Sequence, residues 1–203
     1  DHLGTNFNNS YEKDKFNSER LLRESGVPHA IFRPSVLVGH SRTGEIRNFS
    51  GFYLMVRAFI SAVLDSKAKN RILRFPRMTG ESNMVPVDQA AESISRAIQE
   101  NRLETIYITN PAPPQSWLVL DEALNFYQVH DSVNVIDIPF WEFGKLDLTK
   151  EENMLYQFSS YFSPYWAMEY SFPPSACAHN LIDHDYLARA LTFFRNSEHF
   201  VHG

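Results

Sequence analysis

Tyr11 and Lys15 stand four residues apart in Tyr11-Glu12-Lys13-Asp14-Lys15. On a helix this spacing puts a phenol and an ammonium on one face, near enough to interact. A phenol with a pKa of about 10 exchanges protons poorly at neutral pH, whereas a cation beside it stabilises the phenolate and brings it toward the working range. The chemistry this suits is proton transfer at an oxygen that alternates between carbonyl and alcohol. Because the same pattern is common on amphipathic helices whose Tyr packs and whose Lys is solvated, the surrounding elements decide its meaning.

Other constellations carry less. The eight glycines, at 4, 26, 39, 44, 51, 80, 144 and 203, contain no Gly-x-Gly-x-x-Gly fingerprint. Gly39 and Gly44 have the separation of a phosphate loop, but Glu45 stands where that loop needs its lysine and Ile46 replaces the magnesium-binding hydroxyl. No Gly-x-Ser-x-Gly elbow supports a serine hydrolase. His179, His184, His199 and His202 near Asp183 and Asp185 lack diagnostic ligand spacing, so they read as a solvated polar end and no metal site is expected. Cys177, in Ala-Cys-Ala without a basic neighbour, reads as a packed thiol.

The elements that must position Tyr11 and Lys15 follow in regular order. A helix between Asn8 and Ser25 stops at Gly26-Val27-Pro28. His29 to Arg33 leads into Pro34-Ser35-Val36-Leu37-Val38-Gly39, a short apolar run suited to a buried strand that empties into a loop. Residues 49–64 have helical length with apolar positions nearly all round, which predicts a well-buried helix. Strands are expected near 72–75 and 84–87, with Asp88 as N-cap of a helix from Gln89 to about Glu100. Thr105–Thr109 reads as a strand that Asn110-Pro111 terminates, followed by a helix over 116–127 and a strand over 133–138. Aromatics crowd 140–172 and read chiefly as core, and 182–194 reads as a terminal helix. The alternation of helix and buried strand indicates an α/β domain.

Composition sets outer bounds. At about 150 residues per domain, 203 residues make one domain and a small appendage, and 43% hydrophobic residues fill a real core. The net charge of −5 offers no footprint for nucleic acid. A single cysteine precludes an internal disulfide and favours a reducing, cytoplasmic setting. The longest apolar stretch, Tyr53–Leu64, is interrupted by Arg57 and falls short of the roughly 20 residues a membrane span needs. The first residue is Asp1 rather than Met, so the chain is read as a piece of something longer.

Taken in order, Tyr11-x-x-x-Lys15, the Gly26-Val27-Pro28 turn, the strand running from Arg33 through Gly39, and Val85-Pro86-Val87-Asp88 resemble the C-terminal half of an extended short-chain dehydrogenase/reductase. Ser41-Arg42-Thr43-Gly44 after the Arg-Pro strand is similar to the branch of thioester reductases and male-sterility-type fatty acyl reductases. The resemblance implies the C-terminal part of a Rossmann-type, doubly wound parallel sheet with a small substrate-binding lobe. On this reading residues 1–139 belong to the dinucleotide-binding domain with inserted lobe segments, and 140–203 form an aromatic-rich helical region. The glycine-rich βαβ half is absent from the sequence.

By similarity, Tyr11 is the acid/base that exchanges a proton with the substrate oxygen while hydride moves at the nicotinamide. Lys15 tunes it and bonds the nicotinamide ribose. Pro34, Ser35 and Val36 match the segment whose backbone passes the carboxamide, and Arg42 either meets an anionic substrate group or is an ordinary exposed loop arginine. The implied cofactor is NADP or NAD, with the family leaning toward NADP. The implied substrate is a small-molecule carbonyl compound or an acyl-carrier substrate, with a thioester-derived aldehyde as the reacting carbonyl. Without the pyrophosphate-binding helix N-terminus the isolated segment is expected to lack full cofactor affinity and to be inactive alone. Half a sheet exposes edges and apolar surface, which predicts self-association or pairing with a missing N-terminal half. Two other readings stay open: a nucleotide-sugar epimerase or dehydratase, and a non-catalytic scaffold that binds a nucleotide or partner.

Overall fold

A computed structural model describes residues 7–166 and 182–197. Cys177, His179, His199, His202 and the end of the aromatic stretch lie outside the described residues.

Helix α1 (Ser10–Glu24) is N-capped by Asn9, whose side chain accepts the Glu12 amide, and it ends at Ser25 before Gly26 turns the chain at φ +70°. Strands β1 (Ile31–Pro34) and β2 (Val36–Val38) follow, then α2 (Phe52–Ala68) and β3 (Leu73–Pro76). Strand β4 (Met84–Pro86) leads directly into α3 (Val87–Gln99), and β5 (Thr105–Ile108) into α4 (Ser116–Phe126). Strand β6 (Val133–Ile136), the short α5 (Phe140–Phe143), α6 (Lys150–Ser159), the single turn α7 (Ser163–Trp166) and α8 (His184–Arg195) complete the order. Prolines 34, 76 and 86 each close a strand, where the missing N–H removes no ladder bond from the strand interior.

All named strand pairs are parallel: β1 with β5, β2 with β4, and β3 with β6. Alternate residues of a strand point to opposite faces, and both faces are used. Val85 of β4 and Ile106 and Ile108 of β5 pack with Ala90 and Ala97 of α3. Met84, one residue earlier, packs with Val38, with Val119 of α4 and with Tyr186, Leu187 and Ala190 of α8. The largest core joins α2 to Leu73 and Phe75 of β3, Leu124 of α4, Leu155 of α6 and Phe194 of α8. This is an α/β fold with helices on both faces of parallel strands.

Three local expectations change. The helix expected from Gln89 begins at Val87 with Pro86 at the cap position, and the Asp88 side chain instead holds Ser41. The apolar run 34–39 is divided between the last residue of β1 and the short β2, which have different partners, and of it Val38 is buried while Val36 and Leu37 remain 44% and 36% exposed. The helix expected over 49–64 spans Phe52–Ala68 and presents Leu64 to solvent.

Candidate active site

Helix α1 buries none of its residues. Polar contacts hold its C-terminal half, and they come from the face of β1 and β5 opposite α3. Arg33 and Tyr107 are register partners on that face. Arg33 grips Glu19 through Nε at 2.9 Å and Nη2 at 2.6 Å, and donates through Nη1 to the Tyr107 hydroxyl at 2.7 Å. Arg23 reaches Thr105 Oγ1 at 2.9 Å. The Arg33 pair and its hydrogen bonds hold the Glu19 carboxyl below the ordinary carboxylate range.

Glu19 follows Lys15 by four residues, as Lys15 follows Tyr11, so the three form one stripe along α1. The ammonium of Lys15 lies 5.4 Å from the centroid of the Tyr11 ring, over its face. Tyr11 is 59% exposed, leaving its phenol open to a reacting group. Because Arg33 immediately precedes Pro34, the grip on Glu19 ties the Tyr11–Lys15 stripe to the strand that becomes the 34–36 segment.

That segment runs between β5 on one side and the approach to β4 on the other. Ser35 N–H donates to Ile108 O at 3.0 Å, and Val36 N–H donates to Asn83 O at 3.3 Å, so the chain leaves β5 and joins the approach to β4 within two residues. Asn83 bridges the same gap from the other side, its amide exchanging two 2.8 Å bonds with the backbone of Asn110. Both backbone donors of Ser35 and Val36 are therefore engaged within the protein. Pro34 and Val36 present exposed apolar surface, and the Ser35 hydroxyl is enclosed without a hydrogen-bond partner.

The loop after β2 is fastened on four sides. The Gly39 N–H donates to the Tyr53 hydroxyl at 2.9 Å and its carbonyl accepts from the Tyr186 hydroxyl at 2.6 Å. Both tyrosines are buried, and desolvation pushes the Tyr53 phenol up to about 12. Asp88 takes the Ser41 N–H at 2.8 Å and its hydroxyl at 2.6 Å, and Arg189 donates to Ser41 O at 3.3 Å. Gly44, at φ +73°, lies so close to α8 that a Cβ would sit 2.6 Å from Arg189 O. The Gly39–Gly44 spacing thus serves close backbone approach, and Arg42 is displayed, exposed, on a fixed loop.

Among the described residues, no group of three His, Cys, Asp or Glu side chains is arranged to hold a metal ion. His184 instead pairs with Glu122. No helix among the described residues is long and apolar enough to cross a membrane.

Residues 1–94 match the family model described as male sterility protein. Over that stretch the chain is similar to this family. Among solved structures, the terminal R domain from the myxalamid PKS-NRPS biosynthetic pathway superposes with a TM-score of 0.56 at 19% identity, over 91% of this chain and 49% of that one. A thiolation-reductase di-domain from an archaeal non-ribosomal peptide synthetase superposes with a TM-score of 0.60 at 17% identity, over 97% and 42% respectively. Comparison with curated proteins finds no match. The chain spans about half the length of the solved structures it resembles.

Sequence reasoning had no route to the ties made by Arg33, Asp88, Tyr53 and Tyr186. Glu19 was within reach, because continuing the four-residue step from Tyr11 and Lys15 lands on it.

Proposed function

We propose that this chain supplies the proton-transfer half of an NAD(P)-dependent oxidoreductase acting on a carbonyl or thioester-derived aldehyde. The observation that carries this reading is the stripe Tyr11–Lys15–Glu19, anchored by Arg33 beside the 34–36 segment. When bound, a nicotinamide supplies the hydride. Tyr11 hands its phenolic proton to the substrate oxygen as charge builds there, or takes it back in the oxidative direction. Lys15 offsets the negative charge left on the phenol and bonds the ribose, which aligns the two reacting partners.

The 34–36 segment suits a flat ring held by contact. Its two N–H groups are engaged with Ile108 and Asn83, so Pro34 and exposed Val36 contribute apolar surface, and the Ser35 hydroxyl is the one polar side-chain atom there without a partner. Arg42, on its fastened loop, meets an anionic group of the substrate. The likeness to a thiolation-reductase di-domain supports a carrier-bound acyl substrate class. Pairing with the rest of a reductase, or with a second copy, covers the exposed face of α1 and β2.

The test begins with the intact mass of the full-length gene product, followed by NADPH and NADH titration and turnover with aldehydes. Tyr11→Phe should retain cofactor binding and lose turnover by about a hundredfold or more, the usual weight of a positioned general acid. Unchanged turnover in Tyr11→Phe would leave only a binding scaffold.

A further inference from the structure

We propose that Tyr165 is a positioning residue that sets the angle of the first turn of α1 and thereby the aim of Tyr11. The inference rests on the proton-transfer role given to Tyr11 above. The Tyr165 hydroxyl donates to Glu12 Oε1 at 2.6 Å and accepts from Asn9 Nδ2 at 3.0 Å. Asn9 and Glu12 flank Tyr11 on both sides, so one hydroxyl grips the turn that carries the phenol. The same two residues also bind each other, with the Glu12 N–H donating to Asn9 Oδ1 at 3.0 Å. Asn8 completes the set through its N–H at 2.8 Å and its amide at 3.1 Å, both to Glu12.

This grip has unusual weight because α1 buries no residue. Packing ordinarily fixes the angle of a helix; here hydrogen bonds must, and Arg33 acts two turns away from Tyr11, at Glu19. Residues 12 and 165 lie 153 apart, so the contact couples α1 to the turn that follows α6. Helix α6 is itself anchored: Glu152, 1% exposed, accepts from Arg74 Nε at 2.8 Å and Nη2 at 2.7 Å on β3. A line of hydrogen bonds therefore runs from β3 through α6 and α7 to the turn bearing Tyr11.

Tyr165 is suited to hold rather than to react. Burial and the adjoining Glu12 carboxylate push its phenol up to about 12, which keeps the proton on and the donated bond in place. Burial raises Glu12, but bonds from Tyr165 and Asn8 outweigh it and keep the carboxyl below its ordinary range, ready to accept.

The experiment uses the full-length gene product and steady-state kinetics alongside NADPH binding. Tyr165→Phe keeps the ring and removes both bonds; kcat should fall about tenfold, the scale of a small misalignment of a reacting group, while NADPH affinity stays within about twofold. Glu12→Ala should lose a similar factor, and Glu12→Gln, which still accepts the Tyr165 proton, should recover most of it. The Tyr165→Phe/Glu12→Ala double variant should be no worse than the poorer single, as two ends of one interaction require. Wild-type kcat in Tyr165→Phe, or losses that multiply in the double variant, would overturn the proposal while a dead Tyr11→Phe left the proton-transfer reading intact. Full turnover in Tyr11→Phe would remove that reading, and the purpose of the grip with it.

Discussion

Glu19 and Arg33 meet side by side, each guanidinium nitrogen of the pair taking one carboxylate oxygen, at 2.9 and 2.6 Å. Fourteen residues apart in the chain, they join the helix that carries Tyr11 and Lys15 to the strand that runs into Pro34–Val36. Glu19→Ala should therefore harm catalysis more than folding. The half-exposed setting limits the loss of stability to about 1 kcal/mol, whereas kcat should drop about tenfold through misalignment. Denaturant melts beside kinetics on the same preparation check the split.

Lys15 lies over the Tyr11 ring and, on the proposed reading, also meets the ribose. Lys15→Met should lower both kcat and NADPH affinity, while Lys15→Arg retains charge and part of both. Fluorescence titration and turnover separate the two effects. A Lys15→Met protein with unaltered cofactor affinity would remove the ribose contact from the proposal.

Glu152 predicts acid behaviour. Burial raises its carboxyl, but the Arg74 side chain and the backbone N–H groups of Thr149 and Arg74 bring it down to about 2, from an ordinary 4.5. Because the folded value is depressed, the stabilisation is complete above about pH 4.5 and is lost as pH falls toward 2. Its size is about 3 kcal/mol. Glu152→Gln should flatten the fall in thermal midpoint between these pH values; an equally steep fall would point to other carboxylates.

Gly44→Ala tests the seat of the loop. A methyl there would press on Arg189 O at 2.6 Å, and φ +73° is a conformation that alanine adopts poorly. The expected loss is about 2–3 kcal/mol. Tyr186→Phe, which removes the hydroxyl bonded to Gly39 O but keeps the ring, should cost about 1–2 kcal/mol. Urea melts of both variants give the comparison.

The apolar surface of α1 and β2 predicts association. Leu21 and Val27 are 62% and 57% exposed, and Val36 and Leu37 lie nearby in the chain with their faces open. Sedimentation of the 203-residue chain should show concentration-dependent association. A monodisperse monomer across the micromolar range would count against it.

The sequence by itself determined what depends on neighbours along the chain. The step from Tyr11 to Lys15, the stop at Gly26-Val27-Pro28 and the end of the Thr105 strand before Asn110-Pro111 are local rules of periodicity and backbone geometry, and they made the α/β order and the Tyr–Lys face legible. Tertiary structure decided the rest, because side-chain partners are set only when distant segments meet. Asp88 had the look of a helix cap until the loop at Ser41 came within 2.6 Å of it. The Gly39–Gly44 spacing, suggestive of a phosphate loop, is explained by two buried tyrosines and the backbone of α8. Nothing near Glu12 in the chain announces Tyr165, since a hydrogen bond across 153 residues depends on how the layers close, and no local pattern encodes that closure.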